Sequence, residues 1–176
     1  MRLEILIGGI GGQGVVYAAS LIGKTATAEG KSAAAAAHYG PESRGSVTTS
    51  EVVISDEPID YPYTEQPDIF IALHQAAYDK ERYKIKPGGL IIVDSTLVNP
   101  SQTDNIRTIS RPATQLARDR LNNITLANLI LVGALVQETR LVSFAALERT
   151  LGEMTPDKMR QISLEALHLG LKKAEG

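Results

Sequence analysis

Residues 5–16 read ILIGGIGGQGVV, with five glycines (Gly8, Gly9, Gly11, Gly12 and Gly14) in seven positions directly behind an apolar run. Ordering a glycine costs more backbone entropy than ordering any other residue, so a cluster this dense marks backbone that approaches something closely. Leu3–Ile7 reads as a short buried strand, and residues 13–29 (QGVVYAASLIGKTATAE) read as a helix rich in small side chains. Strand, glycine-rich turn and helix in succession form the opening unit of a parallel α/β fold. The helix N-terminus so created is a ready seat for a phosphate.

The alternation continues down the chain. SAAAAAHYG, after Gly30, falls where a second strand belongs, although alanine is a poor strand former. Residues 46–54 (SVTTSEVVI) and 68–73 (DIFIAL) read as strands, 75–83 as a short helix, and 38–46 (HYGPESRGS) as a loop. The turn KPGG (86–89) launches LIIVD (90–94), a β-branched run with a polar residue at its end, and NIRTIS (105–110) is a sixth strand candidate. The last third is helical. Helical spacing runs over 113–121 and 124–138, Ser143 caps FAALERTLG, and Thr155 with Pro156 at the first helical position opens a helix to about Lys173. The pattern predicts a single three-layer α/β/α Rossmann-like domain over residues 1–176, with a mostly parallel sheet and a helical C-terminal third.

Composition narrows the function. The chain has 176 residues, 43% hydrophobic and 22% charged, with a net charge of −2, so no basic excess points to nucleic acid. The longest apolar stretch, ITLANLILVGALV (124–136), is too short to span a bilayer, and MRLEILIGG does not read as a cleavable leader. A cytoplasmic protein with neither nucleic acid nor membrane as partner is expected. The chain has no cysteine, so it holds no disulfide, no cysteine-ligated zinc and no thiolate-ligated iron–sulfur cluster.

Gly9-Ile10-Gly11-Gly12-Gln13-Gly14 matches the dinucleotide fingerprint in form. That chemistry also wants an acidic residue at the end of the second strand to hold the ribose. Residues 32–37 are all serine or alanine, Glu29 comes before them, and no arginine stands there for a 2′-phosphate. A stand-alone NAD-binding oxidoreductase is therefore the weaker alternative. Gly23-Lys24-Thr25 lies too far downstream to complete a nucleoside-triphosphate loop. Three readings stay open: a non-nucleotide phosphate on the turn, docking of another subunit, or a turn that merely lets strand and helix cross.

A second constellation is Tyr39-Gly40-Pro41-Glu42-Ser43-Arg44-Gly45-Ser46. Arg44 between small residues on a loop suits a bidentate grip on phosphate or carboxylate, with Ser43 beside it. A surface pair between Arg44 and Glu42 is the competing reading. Asp94, at the end of its strand, is a candidate for a polar contact or for a helix cap. His38 and His74 end apolar runs and read as structural, His168 as exposed, and Asn128 as a satisfied amide in reach of the glycine turn or a partner chain. Tyr61-Pro62-Tyr63 reads as an exposed aromatic turn of the kind enriched at subunit contacts.

IGGIGGQGVVYAASLIGKTA, HYGPESRGS and EVVISDEPIDYP together resemble the gamma subunit, or gamma domain, of the thiamine-dependent 2-oxoacid:ferredoxin oxidoreductases. The resemblance continues through PDIFIALHQAAYDK, KPGGLIIVDSTLV and TLANLILVGAL, and so covers nearly the whole chain in order. GPESRGS is similar to the 2-oxoglutarate and general 2-oxoacid branch rather than to the indolepyruvate branch; a pyruvate- or indolepyruvate-type member is the alternative within the family. Ser46 stands where many members have a second glycine. The resemblance implies a complex that converts a 2-oxoacid and coenzyme A to acyl-CoA and CO₂ and passes electrons to ferredoxin. It places thiamine diphosphate, Mg²⁺ and the iron–sulfur clusters on alpha, beta and ferredoxin-like delta subunits. The gamma chain would have no catalytic or metal-ligating residue and would be inactive alone. Gly9, Gly11, Gly12, Gln13, Gly14, Ser43 and Arg44 are then candidate contacts to coenzyme A phosphate or to the docking subunits. A homodimer of the isolated chain is a further expectation, since a surface meant for partners would be bare.

Overall fold

The computed structural model describes residues 1–41, 45–102 and 105–172. The first strand, β1 (Arg2–Ile10), runs three residues beyond the apolar core that predicts it, so Gly8 and Gly9 belong to the strand and not to the turn. The helix α1 (Val15–Ala28) follows, then β2 (Ser32–Tyr39) and β3 (Val47–Ser55). Gly23 and Lys24 sit mid-helix in α1, where the Thr25 hydroxyl donates to the Leu21 carbonyl; that segment holds no phosphate loop. The chain continues with β4 (Ile69–Ala72), α2 (Gln75–Glu81), β5 (Leu90–Asp94) and β6 (Arg107–Arg111). The helices α3 (Ala113–Leu121), α4 (Ala127–Thr139), α5 (Phe144–Met154) and α6 (Asp157–Leu171) complete it.

The six strands form one sheet in the order β2-β3-β1-β4-β5-β6. Only β3 runs against its neighbours; β1, β4, β5 and β6 are mutually parallel. Insertion of β3 beside β1 separates this order from the dinucleotide fold, where the second strand pairs with the first. From β1 the chain leaves to one side through α1 and β2 and returns to the other side at β4. The carboxyl ends of β1 and β4 thus mark the point where the strand order reverses, the usual place for an α/β ligand site.

Both faces of the central strands are apolar, as parallel strands covered by helices require. Ile5, Ile7, Ile69, Ile71 and Ile92 turn to one face, where α1, α3 and α4 bury them; α5 and α6 pack behind. Leu6, Phe70, Ile91 and Val93 turn to the other, closed by α2 with Tyr78 and by Ile85 and Val98. The second helical layer is therefore thin. In α4 nearly every position from Ala127 to Val136 is buried, which explains why its sequence is apolar all round.

Two helix starts test the capping expectations. Ser143 caps α5 as predicted, its hydroxyl accepting from the Ala146 amide at 3.2 Å. Thr155 does not cap α6: the helix starts at Asp157 with Pro156 in the cap position and no side-chain bond. The Thr155 hydroxyl instead meets the Tyr17 hydroxyl at 2.9 Å, holding α1 to the α5–α6 junction. No helix among the described residues is long and apolar enough to cross a membrane.

Candidate functional site

The turn after β1 is built by its own side chain. The Gln13 amide nitrogen donates to the Leu73 carbonyl at 2.9 Å, and its oxygen accepts from the Ile10 amide at 2.9 Å. The Gln13 amide N–H also returns to the Ile10 carbonyl at 3.2 Å, closing a four-residue turn with Gly12 at φ +90°. Positive φ at the third position is the mark of a type II turn and favours glycine there. Gln13 therefore bridges the ends of β1 and β4, and both ends of its side chain are engaged within the chain.

The glycines divide into two kinds. A side chain on Gly8 would press on Ala77 and Phe70, each 3.1 Å away, and one on Gly9 would meet the Gln13 oxygen at 2.7 Å. Gly14 has φ +74° and lies under the Asn128 amide, which donates to the Gly14 carbonyl at 3.1 Å. Asn128 is thus the predicted satisfied amide, and its partner is the glycine turn. Gly11 and Gly12 differ: among the described residues nothing comes within 4 Å of where their side chains would stand.

Behind the turn, α1 begins at Gly14 with no side-chain cap and no acidic residue in its first turn. Among the described residues nothing bonds its first amides, and the positive end of its dipole points the same way. A cleft of about 340 Å³ opens here, lined by Gly11, Gly12, Gly14, Tyr17, Tyr39 and Thr48. A second cleft, about 250 Å³, lies on the other side of the turn between Gln13, Leu97, Thr114, Arg118 and Ile124. Arg118 is exposed and has no partner among the described residues, while Leu97 and Ile124 leave apolar surface bare on its rim. Neither Arg118 nor this rim stands out in the sequence, because fold topology alone brings α3 and the segment before α4 beside the turn.

Ser43 and Arg44 lie outside the described residues. The flanking residues are described: the Gly40 amide bonds to the Val47 carbonyl, and Tyr39 and Thr48 line the first cleft. A side chain on Gly40 would meet Ser46 at 2.8 Å, so Ser46 fills space that Gly40 leaves. This is how a serine is accommodated where relatives in the resemblance carry glycine.

Other candidates are engaged structurally. Asp94 is fully buried and caps α3 from the neighbouring strand: it accepts from the Thr114 hydroxyl at 2.6 Å, the Thr114 amide at 3.1 Å and the Thr96 amide at 3.1 Å. His74 caps α2, its Nδ1 accepting from the Ala76 amide at 3.2 Å. His38 stands 3.6 Å from Glu51, and exposed His168 meets Glu148 at 2.6 Å. Tyr61 and Tyr63 are exposed as predicted and contact each other edge to face at 5.5 Å.

Among the described residues three groups are held away from their ordinary protonation ranges. Hydrogen bonding by the Ser143 side chain, opposed by burial and aided by the Ser143 amide, lowers Glu29. The N-terminal ammonium lowers Asp56, and bonding to Tyr78 raises Arg82. Glu29 ends α1, away from the glycine turn, and Asp56 follows the far end of β3.

A strand switch point, bare glycine backbone and an uncapped helix start come together at the end of β1, the place where α/β proteins usually put a ligand site. The pattern of the pyruvate ferredoxin/flavodoxin oxidoreductase family matches residues 4–173, and the chain belongs to that family. Its place within it is that of a gamma subunit of a 2-oxoacid:ferredoxin oxidoreductase, one component of a multi-subunit enzyme. It is 37% identical to the 2-oxoglutarate synthase subunit KorC of Methanocaldococcus jannaschii, over 99% of this chain and 95% of that protein. The gamma subunit of a keto/oxoacid ferredoxin oxidoreductase from Geobacter sulfurreducens PCA superposes with a TM-score of 0.90 at 34% identity, covering 99% of this chain and 97% of that one. A 2-oxoglutarate:ferredoxin oxidoreductase from Magnetococcus marinus shares the fold with a TM-score of 0.87 at 22% identity, over 96% of this chain but 30% of that longer one.

Proposed function

We propose that the complex containing this chain oxidises 2-oxoglutarate, and that this chain seats the phosphate end of coenzyme A. The overall step is 2-oxoacid plus CoA thiol giving acyl-CoA, CO₂, one proton and two electrons, the electrons leaving to ferredoxin. Thiamine diphosphate with Mg²⁺ supplies the decarboxylation chemistry on the alpha and beta subunits, and clusters on a ferredoxin-like or beta subunit carry the electrons. With no cysteine, this chain offers no thiolate to a cluster. A complex that exchanges electrons with ferredoxin belongs in the cytoplasm. The substrate reading is supported by the identity to the KorC chain and by the form of GPESRGS.

The observation that carries the coenzyme reading is Gly11. Its backbone does not need positive φ, and no atom of the described residues crowds it, so they supply no reason for glycine there. Close approach of a ligand supplies one. In this reading the amides of Gly11, Gly12 and the first turn of α1 face the phosphate, Gly9, Gln13 and Gly14 hold the turn in shape, and Ser43 and Arg44 are further candidate contacts to the same phosphate. In the assembled complex at saturating 2-oxoglutarate, Gly11→Ala should raise the KM for coenzyme A on the order of tenfold, equal to about 1.4 kcal/mol of lost contact. Arg44→Ala should act in the same direction. An unchanged KM with a reduced yield of complex would assign the turn to subunit docking instead, the role that bare Leu97 and Ile124 favour.

A further inference from the structure

The two edges of the sheet are finished differently. At one, β6 is five residues long, and Arg107 and Arg111 both pair with Glu138, at 2.7 and 3.3 Å. Short length and charge are standard protection for an edge strand. At the other, β2 is eight residues long and contains Ala33 to Ala37 in succession, with no charge, proline or bulge. It pairs with β3 without a skip from Ser32 to Tyr39, and no strand among the described residues covers its outer side. Alternate residues of an antiparallel strand point both amide and carbonyl away from their partner, so β2 presents a row of open donors and acceptors.

Beside this edge runs a groove of about 620 Å³, between α1, β2 and α5. Ala33 and Ala35 form its sheet wall, and Lys24 and Glu153, both exposed, stand on its helical sides without partners among the described residues. Thr150 lines it too, 5% exposed and with no partner for its hydroxyl among the described residues. That hydroxyl is open to the groove and offers a hydrogen bond to whatever fills it.

We propose that an extended segment of another subunit of the complex adds to β2 as a seventh strand, its alternate bulky side chains filling this groove. Backbone groups on the open edge select a polypeptide in extended form, and the alanine wall leaves room for large residues at every second position. A second copy of this chain is the poorer occupant. Antiparallel pairing of two β2 strands sets alanine run against alanine run and leaves both grooves empty.

Hydrogen exchange on the isolated chain and on the purified complex tests this directly. Every second amide of Ala33–Tyr39 should exchange freely in the isolated chain and slow on the order of a hundredfold in the complex. The intervening amides, already bonded to β3, should be protected in both. Ala35→Lys, at an exposed position, should leave the melting temperature of the isolated chain unchanged and abolish its entry into the complex. The proposal fails if the alternating amides exchange equally in both states. It also fails if they are already protected in an isolated chain that sediments as a dimer, which would identify the second copy as the occupant.

Discussion

Gly14 and Gly11 lie three residues apart in one motif and are glycines for opposite reasons. Gly14 is required from within: positive φ, the overlying Asn128 amide and the start of α1 leave no room for a side chain. Gly11 is not required by anything among the described residues. A dense glycine run is therefore a composite signal, part turn-building and part opening toward a partner. The substitution with the largest expected effect is on the internal side. Gly14→Ala combines left-handed backbone strain with displacement of Asn128, and should lower stability by about 2–4 kcal/mol. Urea denaturation of the isolated chain measures it; a loss no larger than that of an ordinary surface exchange would erase the distinction between the two glycines.

The same distinction divides the acidic residues. Asp94 ends a strand at the side where α/β sites lie, and a functional contact was as reasonable an expectation as a cap. Its four hydrogen bonds to Thr96 and Thr114 bind it to the fold. Asp94→Ala removes the cap of α3 and leaves the buried Thr114 groups unpaired, so a loss of about 2–3 kcal/mol is expected in the same denaturation experiment. Unchanged stability together with lost activity would return Asp94 to the functional site.

Local chemistry made much of this legible. LIIVD and the helix over 113–121 fall where the pattern places them, because burial on both faces and helical spacing are local properties. The Ser143 cap was readable for the same reason. What the sequence did not show depends on partners distant in the chain. The extension of β1 to Ile10 rests on pairing with Val47, and the polyalanine strand β2 is set by its ladder to β3, against its own propensity. Thr155 turns to Tyr17, 138 residues away. At the site, the glycine turn and Asn128 were visible, whereas Arg118, Leu97 and Ile124 reach it only through topology.

Glu29 gives a smaller, pH-dependent effect on the internal side of the comparison. It is the acid nearest to where a ribose-binding carboxylate would be sought, yet it accepts from the Ser143 amide at 3.0 and 3.2 Å, and hydrogen bonding by the Ser143 side chain chiefly lowers its pKa. A carboxyl with a lowered folded-state pKa stabilises the fold above its unfolded value, and that contribution disappears as pH falls through the folded value. Because Glu29 is largely exposed, the contribution is small. Wild type should exceed Glu29→Gln slightly in urea midpoint at pH 7, and the gap should close on acidification below the ordinary carboxylate range. A gap that widens on acidification would reverse the assignment.

Smallest of all should be the folding effect of Gly11→Ala, and its smallness is what gives the coenzyme experiment meaning. Open space around the added methyl predicts a stability change within about 0.5 kcal/mol, and alanine's lower unfolded-state entropy favours the substituted chain. If the isolated variant melts with the wild type, any rise in KM for coenzyme A in the complex belongs to contact across the turn. If it melts well below, Gly11 joins Gly14 as a glycine that the fold requires. The opening at the switch point would then be a by-product of turn geometry, and the kinetic effect would carry no information about what binds there.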